Sequence, residues 1–185
     1  MEYTIIENKN IRYMMDEYKT KVRALLLDRH ENILITKYGG VILLPGGSIE
    51  DGEKKEDAII RELLEETGII YKNKELNELV TINYYQNNYP KRNGEFKNRL
   101  LTTHYYIGKY KGLSLEKQKL STNELNNSFS QELISLSDLK EIIMKIKSTN
   151  PRNMYFQKEL LTLLAIYDNI KHQPSNNKVY TKKIN

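Results

Sequence analysis

Leu43 to Ile70 reads LLPGGSIEDGEKKEDAIIRELLEETGII, and it parses as a strand end, a glycine turn, an acidic loop and a helix. The helix is expected to start near Glu53 or Lys54. Gly68 marks its end, because glycine takes the left-handed conformation after a last helical turn without steric cost. At 100° per residue, Ile59, Ile60, Leu63, Leu64 and Thr67 share one side, while Arg61, Glu62, Glu65 and Glu66 share the other. One face packs into a core and the other presents three carboxylates at i, i+3 and i+4. Like charges at those spacings repel by roughly 0.2–0.5 kcal/mol per pair, so a purely structural helix gains nothing from them. A bound divalent cation would turn that repulsion into coordination.

Upstream, VRALLLD (22–28) and NILITKY (32–38) are β-rich runs joined by a polar link, the pattern of a hairpin. VILLP (41–45) follows Gly39-Gly40 and leads into Gly46-Gly47. The opening residues alternate only around Tyr3 and Ile5, consistent with a strand or loose arm. Downstream, ELVTINYYQ (78–86) and LLTTHYYIGKY (100–110) form a second hairpin around the polar loop 87–99, which carries Lys91, Arg92, Lys97 and Arg99 with Tyr89 and Phe96 interleaved. A second polar loop spans 120–131, ELISLS (132–137) is a short strand, and Ser137 is expected to cap a helix bearing Leu139, Ile142, Ile143 and Ile146. Pro151 opens a last helix whose stripe of Phe156, Leu160, Leu163, Leu164 and Tyr167 is expected to dock on the sheet or form a homodimer contact. Strands interspersed with about three helices predict an α/β (α+β) architecture, a mixed sheet flanked by helices.

The chain has 185 residues, enough for one domain that buries about 70% of its unfolded surface. We expect that domain to span residues 1–170, followed by a polar basic tail over 171–185, where much of the net charge of +5 sits. Such a tail reads as solvated rather than as a nucleic-acid site. With no cysteine, thiolate metal sites are excluded and only oxygen or histidine ligands remain. His30, His104 and His172 share no metal-ligand spacing and receive no role. There is no bilayer-length apolar run and no signal-peptide pattern, so no membrane partner is expected and the expected location is cytoplasmic. Neither a Walker A loop nor a GxGxxG dinucleotide motif is present.

The central stretch resembles the signature box of the Nudix hydrolases: G, five residues, E, seven residues, then R-E-U-x-E-E-x-G-U, with U aliphatic. Gly47, Glu53, Arg61, Glu62, Leu63, Glu65, Glu66, Gly68 and Ile69 match it without departure. Seven of these positions demand one residue type, each at roughly 5–8% usage, so chance agreement is on the order of 10⁻⁸. The resemblance implies the family's α/β/α sandwich and hydrolysis of a nucleoside diphosphate linked to another moiety, with Mg²⁺ or Mn²⁺. Carried over position by position, it makes Glu62, Glu65 and Glu66 metal ligands together with the main-chain carbonyl of Gly46. Glu53 and Arg61 become supporting catalytic groups, with Arg61 orienting a carboxylate. The general base is either Glu62 or a downstream loop glutamate, for which Glu124 and Glu132 are the candidates.

The expected activity is that of a Mg²⁺-dependent pyrophosphohydrolase whose metal-activated water cleaves a nucleoside triphosphate or other nucleoside diphosphate derivative. A catalytically silent nucleotide-sensing module and an RNA 5′-pyrophosphohydrolase are the alternatives. The expected partner is a nucleotide-type small molecule, and RNA 5′ ends are the only nucleic acid considered. Tyr85, Arg92 and Arg99 are the candidate substrate-binding residues, because a basic, aromatic hairpin tip suits phosphates and bases. In the family, a tyrosine as far beyond the box as Tyr84 or Tyr85 accompanies dinucleoside polyphosphate hydrolysis. Pro90 lies too far on for the ADP-ribose pattern, and the coenzyme A pattern is missing. Alternating strand tyrosines equally suit a sheet face or core.

Overall fold

The computed structural model describes residues 1–7, 15–91, 93–126, 128–146, 151–172 and 183–184. Its centre is a mixed sheet of β1 (Glu2–Ile6), β2 (Glu17–Leu27), β3 (Ile33–Tyr38), β4 (Val41–Leu43), β5 (Leu76–Pro90), β6 (Phe96–Lys109), β7 (Ser130–Ile134) and β8 (Lys183–Ile184). The strand order is β4-β3-β2-β6-β5-β1-β8, with β7 added on β3. β2 runs parallel to β6, β1 parallel to β5, and β5 antiparallel to β6. The helices are α1 (Lys55–Thr67), α2 (Thr122–Asn126), α3 (Leu136–Lys145) and α4 (Pro151–His172).

Alternation along β2 divides the interior into two layers, as the period-2 pleat requires. Val22, Ala24 and Leu26 pack with Ala58, Ile59 and Leu63 of α1. Leu25, on the other face, packs with Leu139 and Ile143 of α3 and with Leu160, Leu163, Leu164 and Tyr167 of α4. The expected sandwich is therefore present, and the apolar stripe of α4 docks on the sheet. No helix among the described residues is long and apolar enough to cross a membrane.

The structure corrects several expectations. The hairpin of β2 and β3 pairs only at Leu27 and Ile33, because β2 spends its length on β6, a partner the linear pattern does not reveal. The loop expected over 87–99 is mostly strand. Pairing runs to Pro90 and Phe96, past an irregularity between Gln86 and Tyr89 where Asn88 takes φ 52. Polar residues continue the ladder there because Arg99 Nε donates to Gln86 Oε1 at 2.7 Å across the two strands. The second polar loop contains α2. Ser135, not Ser137, caps α3, accepting from the Asp138 amide at 3.1 Å. The last helix runs to His172, and Lys183–Ile184 pair with β1, so the residues read as a tail contribute to both elements.

Candidate active site

α1 begins without a side-chain cap, but Glu56 and Asp57 in its first turn complement the positive end of its dipole. Gly68 ends it as expected, at φ 70, its amide donating to Leu64 O. The following segment satisfies the orphan carbonyls of the last turn: Ser114 N donates to Thr67 O and Lys119 N to Glu65 O, each at 2.8 Å. The helix is thereby fixed at both its core face and its C-terminus.

Its acidic face is less exposed than the sequence pattern implies. Glu62 and Glu66 are only 9% and 5% exposed. Together with Glu65 they line a cavity of about 610 Å³ shared with Gly46, Gly47, Lys21 and Arg23. Glu66 Oε2 accepts the Gly46 amide at 3.0 Å. Arg61 grips Glu53 with two hydrogen bonds of 2.8 and 2.9 Å, and its remaining Nη1 donates to Glu62 at 3.0 Å and Glu65 at 3.3 Å. Its Nη2 also reaches Ser48 O. The forked guanidinium thus ties the acidic loop to the helix, a geometry that an ammonium cannot reproduce. Arg61 holds the Glu53 carboxyl below the usual carboxylate range, and Glu53 in turn raises the guanidinium pKa. We expect Arg61→Lys to lower activity about 10- to 100-fold through misplaced carboxylates, with the fold retained. Kinetics beside a thermal melt checks this; full activity would remove Arg61 from the supporting role.

Burial raises the Glu62 carboxyl pKa and pushes that of Glu66 up to about 8. In cation-free protein the folded state therefore keeps a proton on Glu66 that the unfolded chain releases above its ordinary pKa of 4.5. This contribution to stability is full below that value and is lost as pH rises through about 8. A divalent cation would favour the carboxylate, so its stabilisation should be larger at pH 8 than at pH 5.5. Melting curves in chelator and in Mg²⁺ at both pH values test this. Equal gains would show that Glu66 does not meet the cation.

The donor set fits a hard divalent cation: carboxylates of Glu62, Glu65 and Glu66, and the Gly46 carbonyl, all oxygen. The glycines make the close approach feasible. A Cβ at Gly47 would lie 2.4 Å from Glu62 Oε1, so this carboxylate rests against bare backbone. Among the described residues no three acidic or histidine side chains already form a cage. Arg61 engages Glu62 and Glu65, and Arg23 Nη1 donates to Leu44 O and, at 3.3 Å, to Gly46 O. A cation would replace part of these contacts.

The other sequence-derived candidates separate cleanly. Glu124, on α2, lines the cavity, one carboxylate oxygen accepting from Ser121 N at 2.6 Å and Ser121 Oγ at 2.7 Å. Glu132 instead pairs with Lys37 at 2.6 Å on the surface of β7 and β3. Tyr84 is core, while Tyr85 is half-buried on the opposite sheet face; neither lines the cavity. Arg99 is buried under Tyr89, 3.4 Å from its ring centroid, and also lies outside the cavity wall. Arg92 lies outside the described residues. Sequence reading missed Lys21 and Arg23 of β2 and Arg152, Asn153 and Phe156 of α4, all of which line the cavity. Lys21 and Arg23 did carry a signal, cations that alternate with Val22 and Ala24 where the strand turns from its polar start to its apolar end.

The NUDIX domain model matches residues 17–154, and the chain belongs to the Nudix family. An 8-oxo-dGTP diphosphatase of Proteus vulgaris is 41% identical over 63 residues, covering 30% of this chain and 56% of that protein. An ADP-ribose pyrophosphatase of Methanocaldococcus jannaschii is 41% identical over 56 residues, covering 28% and 33%. The matches thus span about half and a third of these relatives. In solved structures, the MutT protein of Methanosarcina mazei Go1 has a TM-score of 0.55 at 20% identity, covering 86% of this chain and 99% of that one. The NUDIX domain of Shewanella oneidensis NrtR, complexed with ADP ribose, has a TM-score of 0.53 at 19% identity, covering 83% and 88%. At these identities the two structures speak to the fold alone.

Proposed function

We propose that the protein is a pyrophosphohydrolase that cleaves the diphosphate linkage of a nucleoside triphosphate or another nucleoside diphosphate derivative with Mg²⁺ or Mn²⁺. The observation that carries this reading is one cavity in which Glu62, Glu65, Glu66 and the Gly46-Gly47 backbone face the cations Lys21 and Arg23. The names of the two partial relatives, an 8-oxo-dGTP diphosphatase and an ADP-ribose pyrophosphatase, support it. Glu62, Glu65, Glu66 and the Gly46 carbonyl would hold the cation. When bound, it neutralises charge on the phosphoryl oxygens and lowers the pKa of an attacking water. Glu53 and Arg61 keep the helix carboxylates aimed at the cavity. Glu62 or Glu124 takes the proton of the attacking water, and Lys21 and Arg23 lower the potential that a polyphosphate would meet on entry.

A panel of nucleoside triphosphates and nucleoside diphosphate derivatives, incubated with Mg²⁺ and assayed for release of nucleoside monophosphate, phosphate or pyrophosphate, tests the proposal. We expect release from at least one compound and its loss on chelation. Tight binding without release from any compound would instead favour the silent sensing module. Turnover of 5′-triphosphate RNA alone would favour the RNA reading.

A further inference from the structure

The C-terminus of α1 is tied down by a single downstream segment. Helix geometry leaves the last four carbonyls without partners inside the helix. Leu64 O accepts the Gly68 amide at 2.9 Å, and residues 114–119 satisfy the other three. Ser114 N donates to Thr67 O and Lys119 N to Glu65 O, while the side chain of Gln118 donates from Nε2 to Glu66 O at 2.5 Å. The segment can come this close because the helix ends in glycine: a Cβ at Gly68 would lie 2.1 Å from Ser114 O. Gln118 Nε2 also donates to Gln131 Oε1 at 3.1 Å, so both of its hydrogens are used. Gln131 sits on β7, where the register pairs it with Thr36 of the cavity wall. A little further along the chain, Ser121 caps α2. Ser121 Oγ accepts from Glu124 N at 3.3 Å and Ser121 N donates to Glu124 Oε2 at 2.6 Å, a reciprocal capping box. That box fixes the Glu124 side chain to the start of its own helix, where the residue lines the cavity. Gln118 thus stands where the carboxylate helix, β7 and the segment bearing Glu124 meet.

We propose that Gln118 is a positioning residue that holds Glu124 where it takes the proton of the attacking water. The chain from Gln118 to Ser121 reaches about 10 Å at most, so the two bonds of one amide limit where the capping box and its carboxylate lie. The role rests on the pyrophosphohydrolase reading and deepens it, assigning to Glu124 the proton that the reading leaves to Glu62 or Glu124. The backbone donors of Ser114 and Lys119 hold the end of α1 without the Gln118 side chain. Removing that side chain therefore leaves Glu62, Glu65 and Glu66 in position and loosens the downstream carboxylate alone. Misplacing a reacting group by about 1 Å costs on the order of 10²-fold in rate.

Steady-state kinetics of the full-length protein with Mg²⁺, on the compound of the nucleotide panel that wild type hydrolyses fastest, tests the role. Gln118→Met keeps the length of the side chain and removes both donors. It is expected to lower kcat about 10- to 100-fold, with KM and the half-saturating Mg²⁺ concentration within about twofold of wild type. Glu124→Gln should lower kcat at least as far. The double variant Gln118→Met/Glu124→Gln should fall no further than Glu124→Gln, since a residue that acts through another adds nothing once its partner is gone. A contribution to helix stability alone would instead raise the Mg²⁺ requirement and multiply the two losses. Either of those results overturns the role, as does wild-type kcat in Gln118→Met or in Glu124→Gln. Gln131→Met removes one of the two acceptors of Gln118 and should lower kcat about threefold in the same pattern. It carries the test if a melting curve shows Gln118→Met unfolded, and wild-type kcat in it then overturns the role. Wild type that releases product from no nucleotide overturns the pyrophosphohydrolase reading, and this role falls with it. An active wild type beside an unimpaired Gln118→Met overturns the role alone.

Discussion

Glu65→Gln and Glu66→Gln are each expected to reduce turnover by on the order of 10³-fold or more, because on the proposed reading each removes a metal ligand worth several kcal/mol of transition-state stabilisation. The two variants should differ in stability, which makes the pair informative. Glu65 is the more exposed, its side chain at 37%, and its contact with Arg61 is the longer one at 3.3 Å. Replacing it removes charge from the cavity mouth and leaves the fold almost unchanged. Glu66 is buried and anchors the Gly46 amide. Glutamine keeps an acceptor for that amide and removes the proton-linked cost of a buried acid, so cation-free Glu66→Gln should gain stability at pH 8 while losing activity. Kinetics beside melts in chelator separates the two effects. Wild-type turnover in either variant would exclude that residue from the metal site.

Gly46→Ala is expected to destabilise the fold by more than about 3 kcal/mol, a drop of roughly 6–12 °C in melting temperature for a domain of this size. At φ 129 the backbone of Gly46 lies in a region that side chains rarely adopt, and a Cβ there would sit 2.2 Å from Val22 O. The obstructing atom belongs to the backbone of β2, so no rotamer change relieves the clash. Gly52→Ala provides the comparison. It also sits at positive φ, 78, but nothing lies within 4 Å, so about 1–2 kcal/mol is expected from conformation alone. Equal melting temperatures for the two variants would show that the crossing of Gly46 over β2 is not tight.

The carboxylate helix was legible because its information is local. Spacing along one helix places Glu62, Glu65 and Glu66, one glycine ends it, and Glu53 and Arg61 meet across a short loop. The opposite wall was not legible, because it depends on pairings between remote segments. Lys21 and Arg23 reach the cavity on a strand whose parallel partner is β6, and Asn153 arrives on α4. The hairpin misled for a related reason. Residues 87–99 are polar enough to read as a loop, yet an arginine–glutamine bond and an arginine–tyrosine stack consume the groups expected to meet substrate. Exposure cannot be inferred from polarity when polar side chains satisfy one another.

The first turn of α4 closes the cavity that α1 opens, and the two helices are separated by more than 80 residues of chain. During synthesis the acidic helix and its glycine turn leave the ribosome well before the wall that faces them. A nascent chain that has reached the end of β6 carries the carboxylates but lacks Asn153, so its binding surface lies open on one side. The complete cavity therefore forms only once translation has passed the first turn of α4.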